Sequence, residues 1–188
     1  MNEVNLKVKK RDTGKQIAKR IRKSGYVPGV FYISGEKSIP VVAEPLSLRP
    51  IVFTDETKIV NLEVEGIPEV KECVLKDVTF DPVTDKITHF DLFGFVQGKL
   101  FTVEVPIMLK GQSTGVREGG VLQHTLRKTT ISCLPKNLPN AIEVDITNLA
   151  IGKALYIKDI HTPDIQFNMP PETVVVSVIP SRVSAKGE

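Results

Sequence analysis

"GKQIAKRIRKSGYVPGVFY", residues 14–32, gathers cations around two isoleucines, stops at a glycine and continues into an apolar, aromatic run. Taken as a helix over 15–23 at about 100° per residue, the stretch puts Lys15, Lys19 and Arg22 on one stripe, with Lys23 beside it. Ile17 and Ile21 fall on nearly the opposite side, with Ala18 at their edge. Asp12 or Thr13 is expected to cap the helix, Gly25 to end it in a left-handed conformation, and Pro28 to prevent its continuation. Such a helix can dock on a sheet by its isoleucines and hold its cations outward, and "VPGVFYI" then reads as a strand.

A run of charge is most often a solvated helix face. Such faces usually mix signs, which gives i,i+4 pairs and avoids self-repulsion. Here Gly14 to Pro28 holds Lys15, Lys19, Arg20, Arg22 and Lys23 and no acid at all. Residues 1–30 carry nine cations against Glu3 and Asp12, +7, while the whole chain is +3, so the remainder sums to −4. Cations held together are stabilised by a polyanion whose counterions they release, and this favours an anion-binding surface. An anionic membrane would need a larger apolar face with Phe, Trp or Leu. Nucleic acid fits better.

Outward from this stretch the chain reads as strands and turns. "NEVNLKV" alternates Val4, Leu6 and Val8 at period two, and "SIPVVAE", "KIVNLEVEG", "EVKECVLKDVTF" and "KITHFDLF" are further strands, with a short helix expected over 45–53. The expected fold is mainly β. Residues 1–93 form an α+β domain, an antiparallel β-barrel-like sheet with one or two short helices, and 94–99, "GFVQGK", form a linker. A second mainly β domain follows over 100–183, opening on "LFTVEVPIML", where Phe101, Val103, Val105, Ile107 and Leu109 share one parity. Pro-containing turns such as "TPDIQFNMPP" separate its strands, and 184–188 is a polar tail. At 188 residues, 41% apolar and 25% charged, the chain is long enough for two small cores.

Little here suggests chemistry. His89, His124 and His161 are scattered with no Cys or His partner at zinc spacing, and neither a nucleophile elbow nor an active-site Cys signature occurs. No catalytic residue, metal, cofactor or small-molecule substrate is expected. "GQSTGVREGG" lacks the ending of a phosphate-binding Walker loop and reads as a surface connection that uses glycine for positive φ. Cys73 and Cys133 are read as buried free thiols of a reducing compartment. With neither a signal-peptide core nor a membrane-length apolar run, the expected location is cytoplasmic.

"THFDLF" adds a second element. On a strand, His89 and Asp91 leave one face while Phe90 and Leu92 enter the core. The carboxylate accepts from cytosine or guanine amino groups and orients the imidazole, so the pair suits base-edge reading; the alternative is a local His–Asp contact with no ligand. Tyr32 is either a stacking or phosphate-binding residue or a barrel-rim tyrosine.

These stretches together, "TGKQIAKRIRKSGYVPGVFY" and "LKDVTFDPVTDKITHFDL", resemble the N-terminal domain of bacterial large-subunit ribosomal proteins of the 5S-rRNA-binding L-twenty-five type. The downstream "VEVPIMLKGQSTGVREGGVLQHTLRKTTISCLPKNLPNAIEVDITNLAIGKALYIKDI" is similar to the second domain of the longer members, the general stress protein Ctc branch. The resemblance implies a barrel-like domain that binds an internal loop of 5S rRNA, and a mainly β second domain whose task is less well defined; neighbouring ribosomal proteins are its expected partners. By position it assigns RNA contacts to Lys15, Arg22, Tyr32, His89 and Asp91, with Arg20 in the same segment. The family's early basic contact aligns with Lys10 or Arg11. Lys19 stands where Arg is common, keeping the charge but not the planar fork. Gln16 and Ile17 replace residues that are small in many members, and "ISGEK" replaces the usual short turn after the aromatic. The rival expectation is a stress-related protein–protein adaptor that uses an acidic second domain and binds RNA incidentally.

Overall fold

In the computed structural model, which describes residues 3–33, 35, 37–96, 98–162 and 164–181, the chain divides into two compact units, Met1–Lys99 and Leu100–Glu188. The expected polar tail, 184–188, lies outside the described residues, as does residue 97 of the expected linker.

The first unit is a closed six-stranded barrel. Its elements are β1 (Glu3–Lys10), α1 (Lys15–Lys23), β2 (Val27–Ile33), β3 (Ile39–Ala43), α2 (Pro45–Val52), β4 (Ile59–Val64), β5 (Lys71–Phe80) and β6 (Ile87–Gly94). The ring runs β1-β3-β2-β6-β5-β4. Period-two alternation fills the interior: Leu6, Val41, Val60, Leu62, Cys73, Phe90 and Leu92 are fully buried, with Phe31 beside them, and Leu48 and Ile51 of α2 join the same core. Four seams are antiparallel, as expected. The other two, β1 with β4 and β2 with β6, are parallel. Parallel neighbours need a crossover rather than a hairpin, and intervening strands and helices supply it in both cases.

The end of α1 forms as its sequence predicts. Gly25 takes φ 82°, its N–H bonds the carbonyl of Arg22 at 3.1 Å, and the Tyr26 N–H bonds that of Ile21 at 3.2 Å. This paired arrangement satisfies the last carbonyls and requires a residue tolerant of positive φ. The start differs from expectation. Neither Asp12 nor Thr13 caps the helix; the N-cap is Gly14 at φ 140°, ψ 147°, with no side-chain cap. That conformation belongs to glycine, which turns the chain sharply from β1 into the helix.

Strand β6 runs through Gly94, which is buried, so the first position read as linker belongs to the barrel. Gly29 of β2 pairs with Phe90 of β6, and a Cβ at Gly29 would lie 2.5 Å from the Phe90 ring. The ring fills the space that glycine leaves.

In the second unit, β7 (Phe101–Lys110), β9 (Lys128–Cys133), β10 (Ile142–Asp145) and β12 (Gln166–Phe167) form a sheet in the order β10-β7-β9-β12. A three-stranded sheet runs β11-β13-β8, with β8 at Val121–His124, β11 at Ala154–Tyr156 and β13 at Val174–Ile179. Phe101, Val103, Val105 and Ile107 are buried as their shared parity predicts, and Leu109 is half-buried. Strand β12 lies inside "TPDIQFNMPP", a segment expected to be only a turn. The glycine-rich connection holds a one-turn helix, α3 (Thr114–Arg117), and its glycines serve two ends. Gly111 and Gly119 supply positive φ, whereas Gly115 and Gly120 let backbone approach backbone. Cys73 and Cys133 are buried free thiols, and burial raises the pKa of both.

Gly29→Ala is expected to destabilise the barrel by about 1–3 kcal/mol through overpacking against Phe90. Urea unfolding of the variant and the parent checks this; equal midpoints would contradict the close approach.

Candidate nucleic-acid interface

Helix α1 lies on the outside of the barrel against β2, with Ile17, Ala18 and Ile21 half-buried beneath it. Lys15, Lys19, Arg20, Arg22 and Lys23 are all exposed. Among the described residues no carboxylate lies within ion-pair distance of any of the five. The ridge is therefore neither turned inward nor neutralised from the body.

Arg22 fixes where the ridge sits. Its Nε donates to the Thr88 carbonyl of β6 at 2.9 Å, and the Thr88 hydroxyl in turn donates to the Thr79 carbonyl of β5 at 3.0 Å. The helix is thereby pinned beside His89, the next residue along.

On β6, alternation does what the sequence predicts: Phe90 and Leu92 are fully buried, while His89 and Asp91 stand on the outer face, each side chain about one-third exposed. His89 Nδ1 and Asp91 Oδ1 are 2.9 Å apart. The two groups meet without hydrogen-bond alignment. Asp91 Oδ1 is shielded from solvent and has no hydrogen-bond donor among the described residues. A shielded acceptor without a donor is costly to leave unmet.

Tyr32 on β2 is half-exposed on the same outer wall, where its ring meets Phe93 edge-on at 5.5 Å. Lys76 of β5 stands over both rings, 5.7 Å from Tyr32 and 5.4 Å from Phe93. Such cation–π contacts hold an ammonium in place without neutralising it. Neither Lys76 nor Phe93 was singled out from the sequence. The signal present was the adjacent polar pair Lys76–Asp77, which breaks the alternation of β5 where the strand shifts register between Leu75 and Asp77. That shift sets Asp77 directly opposite Asp91, its own Oδ1 accepting the Val78 N–H at 2.8 Å.

The structure separates Lys10 from Arg11. Lys10 is exposed. Arg11 is half-buried, with Nε donating to the Val41 carbonyl at 3.0 Å, Nη2 to that of Gly29 at 3.4 Å and Nη1 to that of Asp12 at 3.2 Å. Burial lowers the Arg11 pKa, and the nearby Arg22 charge adds to the effect. Arg11 thus ties the end of β1 to β2 and β3. The wall that results joins α1, β2, β5 and β6, with cations at its helical edge and an aromatic, imidazole and carboxylate group along its strands. It suits a ligand carrying both phosphate and polar ring edges.

The β5–β6 hairpin of this wall is closed by Asp81, whose Oδ1 accepts the backbone N–H groups of Thr84 at 2.9 Å and Val83 at 3.0 Å. Those bonds hold its carboxyl below the usual range, the Thr84 bond foremost. A lowered carboxyl stabilises the fold at pH above its unfolded value, and the contribution is lost as pH falls through the folded one.

Arg11→Ala removes three donors from the meeting point of β1, β2 and β3. A stability loss of about 1–3 kcal/mol is expected from denaturant melts; unchanged stability would show that the guanidinium does not hold the strands.

Comparison with known proteins places both units in one lineage. Residues 6–92 match the Ribosomal L25p family, and residues 101–182 match the ribosomal protein TL5 C-terminal domain. Large ribosomal subunit protein bL25 of Pelodictyon phaeoclathratiforme is 35% identical over 189 residues, covering 99% of this chain and 94% of its own. The bL25 proteins of Halothermothrix orenii and Dictyoglomus thermophilum are 37% and 36% identical, covering 95% and 97% of this chain and 83% and 92% of their own. Matches of that length across both units support a structural role in the large ribosomal subunit. The chain belongs to the bacterial bL25 family of large-subunit ribosomal proteins, in the long form with a TL5-type C-terminal domain.

Proposed function

We propose that residues 1–93 bind 5S rRNA through the wall formed by α1 and the outer faces of β2 and β6. The observation that carries the reading is the exposed, carboxylate-free ridge of α1, tied by Arg22 to the strand that bears His89 and Asp91. Lys15, Lys19, Arg20 and Lys23 contact phosphates, and Lys10 supports them from the end of β1. Arg22 has a double duty, since its Nε positions the helix while the exposed side chain has further N–H groups to offer a phosphate. Arg11 is a positioning residue.

Register is set by the strand residues. Asp91 accepts from base amino and imino groups, His89 orients it, and Tyr32 offers a ring edge and a hydroxyl beside them. Double-helical RNA of A form hides its base edges in a deep, narrow major groove, so these short side chains suit an internal loop with a distorted, accessible groove. Phosphate contacts supply most of the affinity and carry its salt dependence; the strand supplies discrimination.

The rival, an adaptor that uses an acidic second domain, loses its premise on inspection of charge. Residues 100–188 hold nine cations and eight carboxylates, +1, while residues 31–99 hold seven and twelve, −5. The acidity belongs to the barrel itself.

Two measurements test the proposal. Lys19→Ala is expected to weaken 5S rRNA binding and to reduce the slope of log affinity against log salt by about one; an unchanged slope would remove α1 from the interface. Asp91→Ala is expected to lower the preference for 5S rRNA over a plain duplex by about 1–3 kcal/mol in paired gel-shift titrations. Equal losses on both RNAs would reduce Asp91 to a structural role.

A further inference from the structure

The barrel also carries a concave surface of the opposite charge. A cleft of about 830 Å³ opens on the wall formed by β1 and β4, flanked by β3 and the start of α2. In the six-stranded ring β1 lies three places from β6, so it is the strand most remote from the one that bears His89 and Asp91. Four carboxylates line it, Glu44, Glu63, Glu65 and Glu69, against two cations, Lys7 and Lys9. Lys7 holds Glu63 at 3.2 Å. Among the described residues the other three carboxylates have no ion-pair partner.

Apolar surface is exposed in the same place. Val70 is 56% exposed and Tyr26 43%, both lining the cleft. An apolar floor rimmed by unpaired carboxylates matches a partner with the reverse composition: cationic side chains around an aliphatic or aromatic anchor. Nucleic acid is repelled by such a rim. A member of a large-subunit family works among polyanionic RNA and the cationic protein that neutralises it, so the cation-seeking wall is turned to protein.

We propose that this cleft docks a short lysine- and arginine-rich segment of another protein, anchored by one apolar side chain, while the α1–β6 wall is engaged elsewhere. The test uses the full chain and a short Lys/Arg peptide with one central Leu, followed by backbone amide shifts in NMR. Shifts should centre on Glu44, Glu65, Glu69 and Val70. The double substitution Glu65→Gln, Glu69→Gln should weaken binding about tenfold, with an unchanged melting temperature. Replacing the central Leu of the peptide by Ser should weaken it several-fold. Shifts centred elsewhere, no binding, equal affinity for the Leu and Ser peptides, or an unaffected double variant would overturn the proposal. A separate titration with 5S rRNA should leave the amides of Glu65, Glu69 and Val70 unmoved, and movement there would overturn it too. The peptide titration contains no RNA, so its result stands apart from that of the rRNA proposal.

Discussion

Side chains alternate across a strand, so burying Phe90 and Leu92 in the barrel turns His89 and Asp91 outward on the same strand. That constraint organises the first unit. A shift of β6 by one residue would send two charged or polar groups into a closed core and two large apolar ones into water. Closure of the ring removes the sheet edges that would allow such slippage. The core and the candidate interface are therefore one requirement seen from two sides, and Gly29, which makes room for the Phe90 ring, serves both.

Charge is distributed with the same economy. Five cations on α1 repel one another with no acid nearby, which costs stability in the free protein and is relieved on a polyanion. The compensating acidity is not interleaved with them; residues 31–99 carry it, part of it around the β1–β4 cleft. A barrel with walls of unlike sign orients itself as it approaches RNA, because the field that attracts one wall repels the other. The second unit is nearly neutral at +1 and adds little to that steering.

Much of this was legible in the sequence because it depends on local rules. The helix, its glycine stop, the alternating strands and the split faces of β6 follow from periodicity and from what glycine alone tolerates. Pairing did not follow, since alternation says which face a residue takes but not which strand lies beside it; hence the two parallel seams. Arg11 looked like one more exposed cation. Its carbonyl partners, Val41 and Gly29, are 30 and 18 residues away and carry no signature in sequence. Lys76 was hidden by the break in alternation that makes it project over Tyr32 and Phe93. Strand β12 is two residues long and set among prolines, too short for periodicity to register. The helix start misled because backbone geometry at Gly14, rather than an Asp12 or Thr13 side chain, makes the turn.

In the proposed mode of binding, cations and strand residues meet RNA on one wall. Amide chemical-shift mapping of the full chain on addition of 5S rRNA addresses it most directly. The largest changes should trace Lys15 to Lys23, then Tyr32 and the outward positions of β6. Changes confined to the second unit, or spread over the β1–β4 wall with α1 silent, would contradict it.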